Sequence, residues 1–139
     1  MAGGELGRRI AVAVVGIPIV VVAVLAGGWL FGVLLAVVAV IATGELFSLA
    51  TARGERPFGT TGMAASGAIV LLATANPTPH QAAVPILSVL LALTLVTLVG
   101  SVWLRWPGGE PLAAVAITLL GSVYIGCTLA FAVFLRHLP

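Results

Sequence analysis

The chain has 139 residues, 61% hydrophobic and 7% charged, with a mean hydropathy of +1.27 and a net charge of +2. So few polar atoms cannot cover a soluble domain, so lipid has to solvate the outer face. Asp and Lys are both absent and the 6 basic side chains, all Arg, are scattered; this removes the usual metal-binding carboxylate and the point-charge phosphate ligand, and leaves no nucleic-acid-binding face.

Five apolar runs separated by short breaks are the predicted helices. The first covers residues 10–26. Arg8 and Arg9 precede it as in a secretory or twin-arginine leader, but the run is long for a leader and no small-residue cleavage site follows. A retained span is expected. Pro18 interrupts it and leaves the Val14 carbonyl without its usual donor, which predicts a kink. Only Gly27 and Gly28 precede the second run, 29–50, so a tight helical hairpin is expected. Residues 51–57, Thr-Ala-Arg-Gly-Glu-Arg-Pro, form the clearest break in the chain. The third run, 61–75, is marginal in length unless it starts near Phe58, and it ends at the polar stretch 76–81. The fourth, 82–103, closes on Arg105, and the fifth, 111–135, closes on Arg136.

Helices of 17 to 25 residues measure about 25 to 37 Å, enough to cross a hydrocarbon core of about 30 Å. The runs lack the alternation of a membrane barrel, and backbone in lipid must satisfy its own hydrogen bonds. The fold class is therefore all-α: a polytopic transmembrane bundle of about five spans. With the N-terminus cytosolic, Arg8, Arg9, Arg53, Arg56 and Arg105 share the inner side, and only Arg136 lies outside. That asymmetry obeys the positive-inside rule. It makes Arg8, Arg9, Arg53 and Arg56 candidate contacts for anionic lipid headgroups. It also puts Glu5, Glu55 and Glu110 inside, where any chemistry is expected.

Glu45 is the one carboxylate within a span. Burying it costs on the order of 3 kcal/mol, so it needs a partner or a wet cavity. Two readings stay open: a near-interface Glu reaching headgroup water or pairing with Arg53 or Arg56, and a bundle-facing anchor or cavity residue. Tyr124 is a second intramembrane polar candidate. Gly28-x-x-x-Gly32 and Ser122-x-x-x-Gly126 have the spacing of close helix contacts. Trp29, Phe31, Trp103 and Trp106 stand at span ends, as in an interfacial aromatic belt. His80 and His137 have no neighbouring Cys or carboxylate and make no metal site, and lone Cys127 reads as a buried thiol. No nucleotide-binding, nucleophile-elbow or metalloprotease motif is present.

Three patterns in order carry a resemblance. Arg9, Ala13 and Pro18 give R-x-x-x-A-x-x-x-x-P; Gly44-Glu45-Leu46 stands near the end of the second span; Leu120-Gly-Ser-Val-Tyr-Ile-Gly126 is followed by Leu135-Arg136 and Leu138-Pro139. This order resembles the N-terminal half of bacterial phosphatidate cytidylyltransferase, or CDP-diacylglycerol synthase. The resemblance spans essentially the whole chain. It implies a bacterial cytoplasmic membrane enzyme that joins CTP to phosphatidic acid, releases pyrophosphate and uses Mg²⁺. The family's signature, rich in Ser, Lys, Asp and Gly, lies in its C-terminal half and is missing here. Residues 1–139 are thus expected to be an N-terminal membrane domain, a fragment that is inactive alone and binds no cofactor. Arg9, Pro18, Glu45, Tyr124 and Arg136 match family positions and read as scaffold or cavity residues; no catalytic residue carries over. Expected partners are membrane lipids, with room for a homodimer; phosphatidic acid and CTP belong to the full-length enzyme. The alternative is a small non-enzymatic membrane protein, an assembly partner or transporter subunit.

Overall fold

Backbone polar groups in hydrocarbon can be satisfied only within helices or closed barrels, and this chain takes the first solution. The computed structural model describes the backbone of residues 3–105 and 111–136, and the side chains of 14–103 and 111–136. Among the described residues there is no strand; α1 (Gly3–Ala26), α2 (Gly28–Ala52), α3 (Gly59–Ala75), α4 (Pro79–Arg105) and α5 (Pro111–Arg136) follow one another. The expected all-α class holds, and the third helix does start just after Phe58. Three helices, α2, α4 over Pro79–Trp103 and α5, are long and apolar enough to cross a membrane; Val14–Ala26 of α1 and all of α3 are shorter apolar stretches.

The α1–α2 hairpin turns on Gly27 alone. Gly27 and Gly28 have φ of +65° and +55°, a region that costs an L side chain steric strain. A Cβ on Gly27 would also collide with the Arg136 guanidinium. The Gly27 N–H still donates to the Ala23 carbonyl at 2.9 Å, so little of the ladder is lost. α1 runs as one helix through Pro18. α4 carries a second internal proline, Pro85, which the sequence reading did not single out.

The shortest of the five described helices sits at the centre. α3 packs on α2, α5 and α4, whereas among the described helices α1 packs its backbone only against α2 and meets α5 through the Arg136 side chain. Small residues make this possible: Gly62, Ala65, Ser66, Gly67 and Ala73 are buried on α3 beside Ile69 and Val70. Such residues let helix backbones close up where lipid offers no hydrophobic drive. A Cβ on Gly126 of α5 would lie 3.2 Å from Ser66 Cα, and one on Gly32 of α2 would enter the Thr74 side chain. The first small-residue motif therefore touches through Gly32 only, Gly28 facing open space, whereas both Ser122 and Gly126 of the second lie against α3. The core joins Ala36 and Ala39 of α2, Ile69, Val70 and Ala73 of α3, and Ala130 and Val133 of α5.

Two contacts fix which ends lie together. At one end, Arg136 closes α5 by donating to the Val24 carbonyl of α1, with its guanidinium 5.3 Å from the Phe31 ring centroid. At the other, the Phe58 N–H before α3 donates to Thr118 Oγ1 of α5 at 2.8 Å. The ends of α1 and α5 thus share one side, as alternating passes require.

Candidate functional site

Five of the six arginines belong to the end of the bundle opposite Arg136. There α2 and α5 enclose a cleft of about 570 Å³, lined by Leu46, Leu49, Ala50, Arg53 and Glu55 from α2 and its following turn, and Ile117, Leu120 and Gly121 from α5. Gly121 is where α5 comes close to Leu46 and Phe47 of α2. A Cβ there would stand 2.7 Å from Leu46 Cδ2 and 2.9 Å from Phe47 Cε1, so only glycine permits this approach. Phe47 itself is buried, its ring lying against Gly62 of α3 on its other side.

The charged rim is built by the way α2 stops. Gly54 has φ of +91°. The Glu55 N–H donates to the Ala50 carbonyl at 3.1 Å, and the Gly54 N–H to the Thr51 carbonyl at 3.0 Å. This is a Schellman cap with Gly54 in the left-handed position, satisfying carbonyls that would otherwise end the helix unpaired. The cap brings Arg53 and Glu55 to the same opening. Arg53 is exposed and Glu55 half-buried, and among the described residues neither forms an ion pair. Arg53 also sits at the negative end of the α2 dipole, which favours a cation.

Buried hydroxyls are satisfied mainly by carbonyls of their own helices, and one pair, Thr43 and Ser66, joins α2 to α3. Thr43 Oγ1 lies 2.7 Å from the Ala39 carbonyl and 2.9 Å from Ser66 Oγ, and the Ser66 hydroxyl reaches the Met63 carbonyl at 2.9 Å. Thr118 and Ser122 of α5 donate to the Ala114 and Thr118 carbonyls, both at 2.7 Å. All four residues are buried. The sequence reading named Ser122 in a close-contact motif and missed the other three, although a Ser or Thr inside an apolar run is itself a signal, since it needs a partner in lipid.

The sequence-selected residues are dispersed. Arg53 lines the cleft, while Arg56 is exposed nearby in the loop and does not line it. Glu45 is exposed and makes no ion pair among the described residues. The buried positions around it are Thr43 and Phe47, so it turns away from the bundle. Arg53, eight residues further on, is about 12 Å away along the axis. Tyr124 is 71% exposed, and Pro18 lies exposed beside an apolar groove between α1 and α2. Neither Glu45 nor Tyr124 lines the α2–α5 cleft. Cys127 is a half-buried free thiol. The side chains of Glu5, Arg8, Arg9, Arg105, Trp106, Glu110 and His137 lie outside those described. Among the described residues no group of three or more His, Cys, Asp or Glu could hold a metal ion. A greasy cleft with a charged mouth can hold an amphiphile; it offers no nucleophile–base pair.

Long apolar helices packed through small residues define a multi-span membrane protein. A family model described as the cytidylyltransferase family matches residues 7–139. The chain belongs to that family. No curated protein and no solved structure matches it.

Proposed function

We propose that this chain is the N-terminal membrane portion of a phosphatidate cytidylyltransferase, which makes CDP-diacylglycerol and pyrophosphate from CTP and phosphatidic acid during phospholipid biosynthesis. The match to the cytidylyltransferase family over residues 7–139 carries the reading. It is supported by apolar helices of membrane-crossing length and by a cleft suited to an amphiphile at the arginine-rich end. In this reading the membrane is a bacterial cytoplasmic one, and arginine placement supports that end facing the cytosol. In this reading the segment orients lipid and forms the scaffold, while the groups that bind CTP and move charge come from the family's Ser-, Lys-, Asp- and Gly-rich part.

Mg²⁺, which the family is expected to use, prefers several oxygen ligands in octahedral array. The described side chains do not fit it: the carboxylates among them, Glu45 and Glu55, stand on the outer face of α2 and at the cleft rim. No step is assigned to a metal held by this segment. The test is CTP-dependent formation of CDP-diacylglycerol in membranes carrying this chain alone, or together with the signature-bearing half of a family enzyme. No product is expected from the chain alone, and product is expected from the pair. Two halves that fold and co-purify yet form no product would overturn the proposal, as would synthesis by this chain alone.

A further inference from the structure

The apolar wall of the α2–α5 cleft is open to the side. Leu49 and Leu120 are 65% and 74% exposed, so in a membrane these side chains face acyl chains rather than water. From Leu46 to Arg53 the wall rises through seven residues, about 10 Å, from hydrocarbon depth to the helix end. The cleft's 570 Å³ lies within the range of sites that hold small molecules. A guanidinium, the side chain best matched to phosphate oxygens, stands at its mouth without an ion-pair partner among the described residues. Glu55 opposes a bound anion, but Arg53 and Arg56 outnumber it, leaving this loop with one net positive charge.

We infer that this cleft holds an anionic glycerophospholipid of the surrounding leaflet, with one acyl chain along Leu46, Leu49, Ile117 and Leu120 and its phosphate at Arg53. The inference rests on the membrane-embedded part of the function proposed above and not on cytidylyl transfer. The Schellman cap is what makes the site specific. It holds Arg53 at the last turn of α2, directly above the leucine wall, where a flexible loop arginine would sample the whole interface. The recognised chemistry is a phosphate beside a diacylglycerol; a monoester and a diester both supply it.

The test uses the purified 139-residue chain in detergent, titrated with dioleoyl phosphatidic acid, dioleoyl phosphatidylglycerol and dioleoyl phosphatidylcholine, with bound lipid counted by native mass spectrometry. Both anionic lipids are expected to bind about fivefold more tightly than the choline lipid, the ratio for about 1 kcal/mol per arginine at a membrane surface. Arg53→Gln should erase that preference. Leu120→Trp, on the exposed wall, should weaken all three lipids, whereas Leu91→Trp on the exposed face of α4 should weaken none. Equal affinities for anionic and choline lipids, a preference that survives Arg53→Gln, or indifference to Leu120→Trp would each overturn the inference. Among results that uphold the site, a preference for phosphatidic acid marks the reacting lipid and parity with phosphatidylglycerol marks a resident one. If the paired halves make CDP-diacylglycerol while the lipid preference is absent, this inference alone falls.

Discussion

Phe47 is held between two glycines from different helices, and Gly62→Ala tests whether that wedge sets the packing of the arginine-rich end. A Cβ at Gly62 would lie 2.6 Å from Phe47 Cζ and 2.6 Å from Ser122 Oγ. Carbon atoms rest at about 3.5–4.0 Å, so the ring has to retreat by about 1 Å. It has nowhere to go: Phe47 is only 4% exposed, and Gly121 closes its other side. Overpacking of this kind costs about 1–3 kcal/mol. In water a helix-interior Gly→Ala change would recover about 1 kcal/mol of propensity. In mixed micelles the unfolded state keeps much of its helix, so most of that gain cancels and a net loss of about 1–2 kcal/mol is expected. Gly16→Ala, at a helical glycine with nothing within 4 Å of the added methyl, should stay within about 0.5 kcal/mol of wild type. The assay is equilibrium unfolding in detergent mixtures of increasing denaturing fraction. Phe47→Leu in the Gly62→Ala background should recover part of the loss, giving a coupling of about 1 kcal/mol. Equal stability for Gly62→Ala and Gly16→Ala, or a double mutant that is simply additive, would refute the wedge.

Three further outcomes follow from other contacts. Gly54→Ala forces a Cβ into the left-handed cap and should cost about 1–2 kcal/mol in the same unfolding assay; an unchanged midpoint would contradict the cap. Arg136→Gln should free α1 from α5 by removing the bond to Val24 and the approach to Phe31. Spin labels at Leu25 and Leu135 would then report a broadened distance, and an unchanged distribution would rule out the clasp. With Cys127 replaced by Ser, Glu55→Cys should react with an impermeant reagent from the side opposite to Thr78→Cys. Labelling of both from one side would dismiss the alternating passes.

The breaks between helices could be read directly because in lipid a helix ends where apolarity ends. Between residues 10 and 82 the stretches able to leave hydrocarbon cheaply are Gly27, residues 51–57 and residues 76–81, and the chain turns at each of them. Which face of each helix looks inward was far less legible. On α2 the buried set is Gly32, Ala36, Ala39, Thr43 and Phe47. These differ from the exposed valines and leucines between them mainly in size, so no polarity stripe marks the seam. Polarity drew attention instead to Glu45 and Tyr124, and both face outward. Arg136 was read as a lone outer charge, but its partner lies 112 positions earlier, a separation that no local pattern encodes. Of the cleft, Arg53 was identified in advance for its charge. The leucines and the Gly54 cap that give it a site could be recognised only once α2 and α5 were side by side.

The placement of α3 bears on how the polypeptide reaches the membrane. At 17 residues, rich in Gly, Ala, Thr and Ser, it is a weak candidate for leaving the translocation channel by itself. Its surroundings in the finished protein are other helices on three sides, leaving only a narrow strip with Ala64 and Leu71 to meet fatty acyl chains. When residue 75 has been made only α2 is there to receive it, and its other two neighbours, α4 and α5, come later in synthesis. A ribosome that paused there would leave a passenger with one wall of its berth.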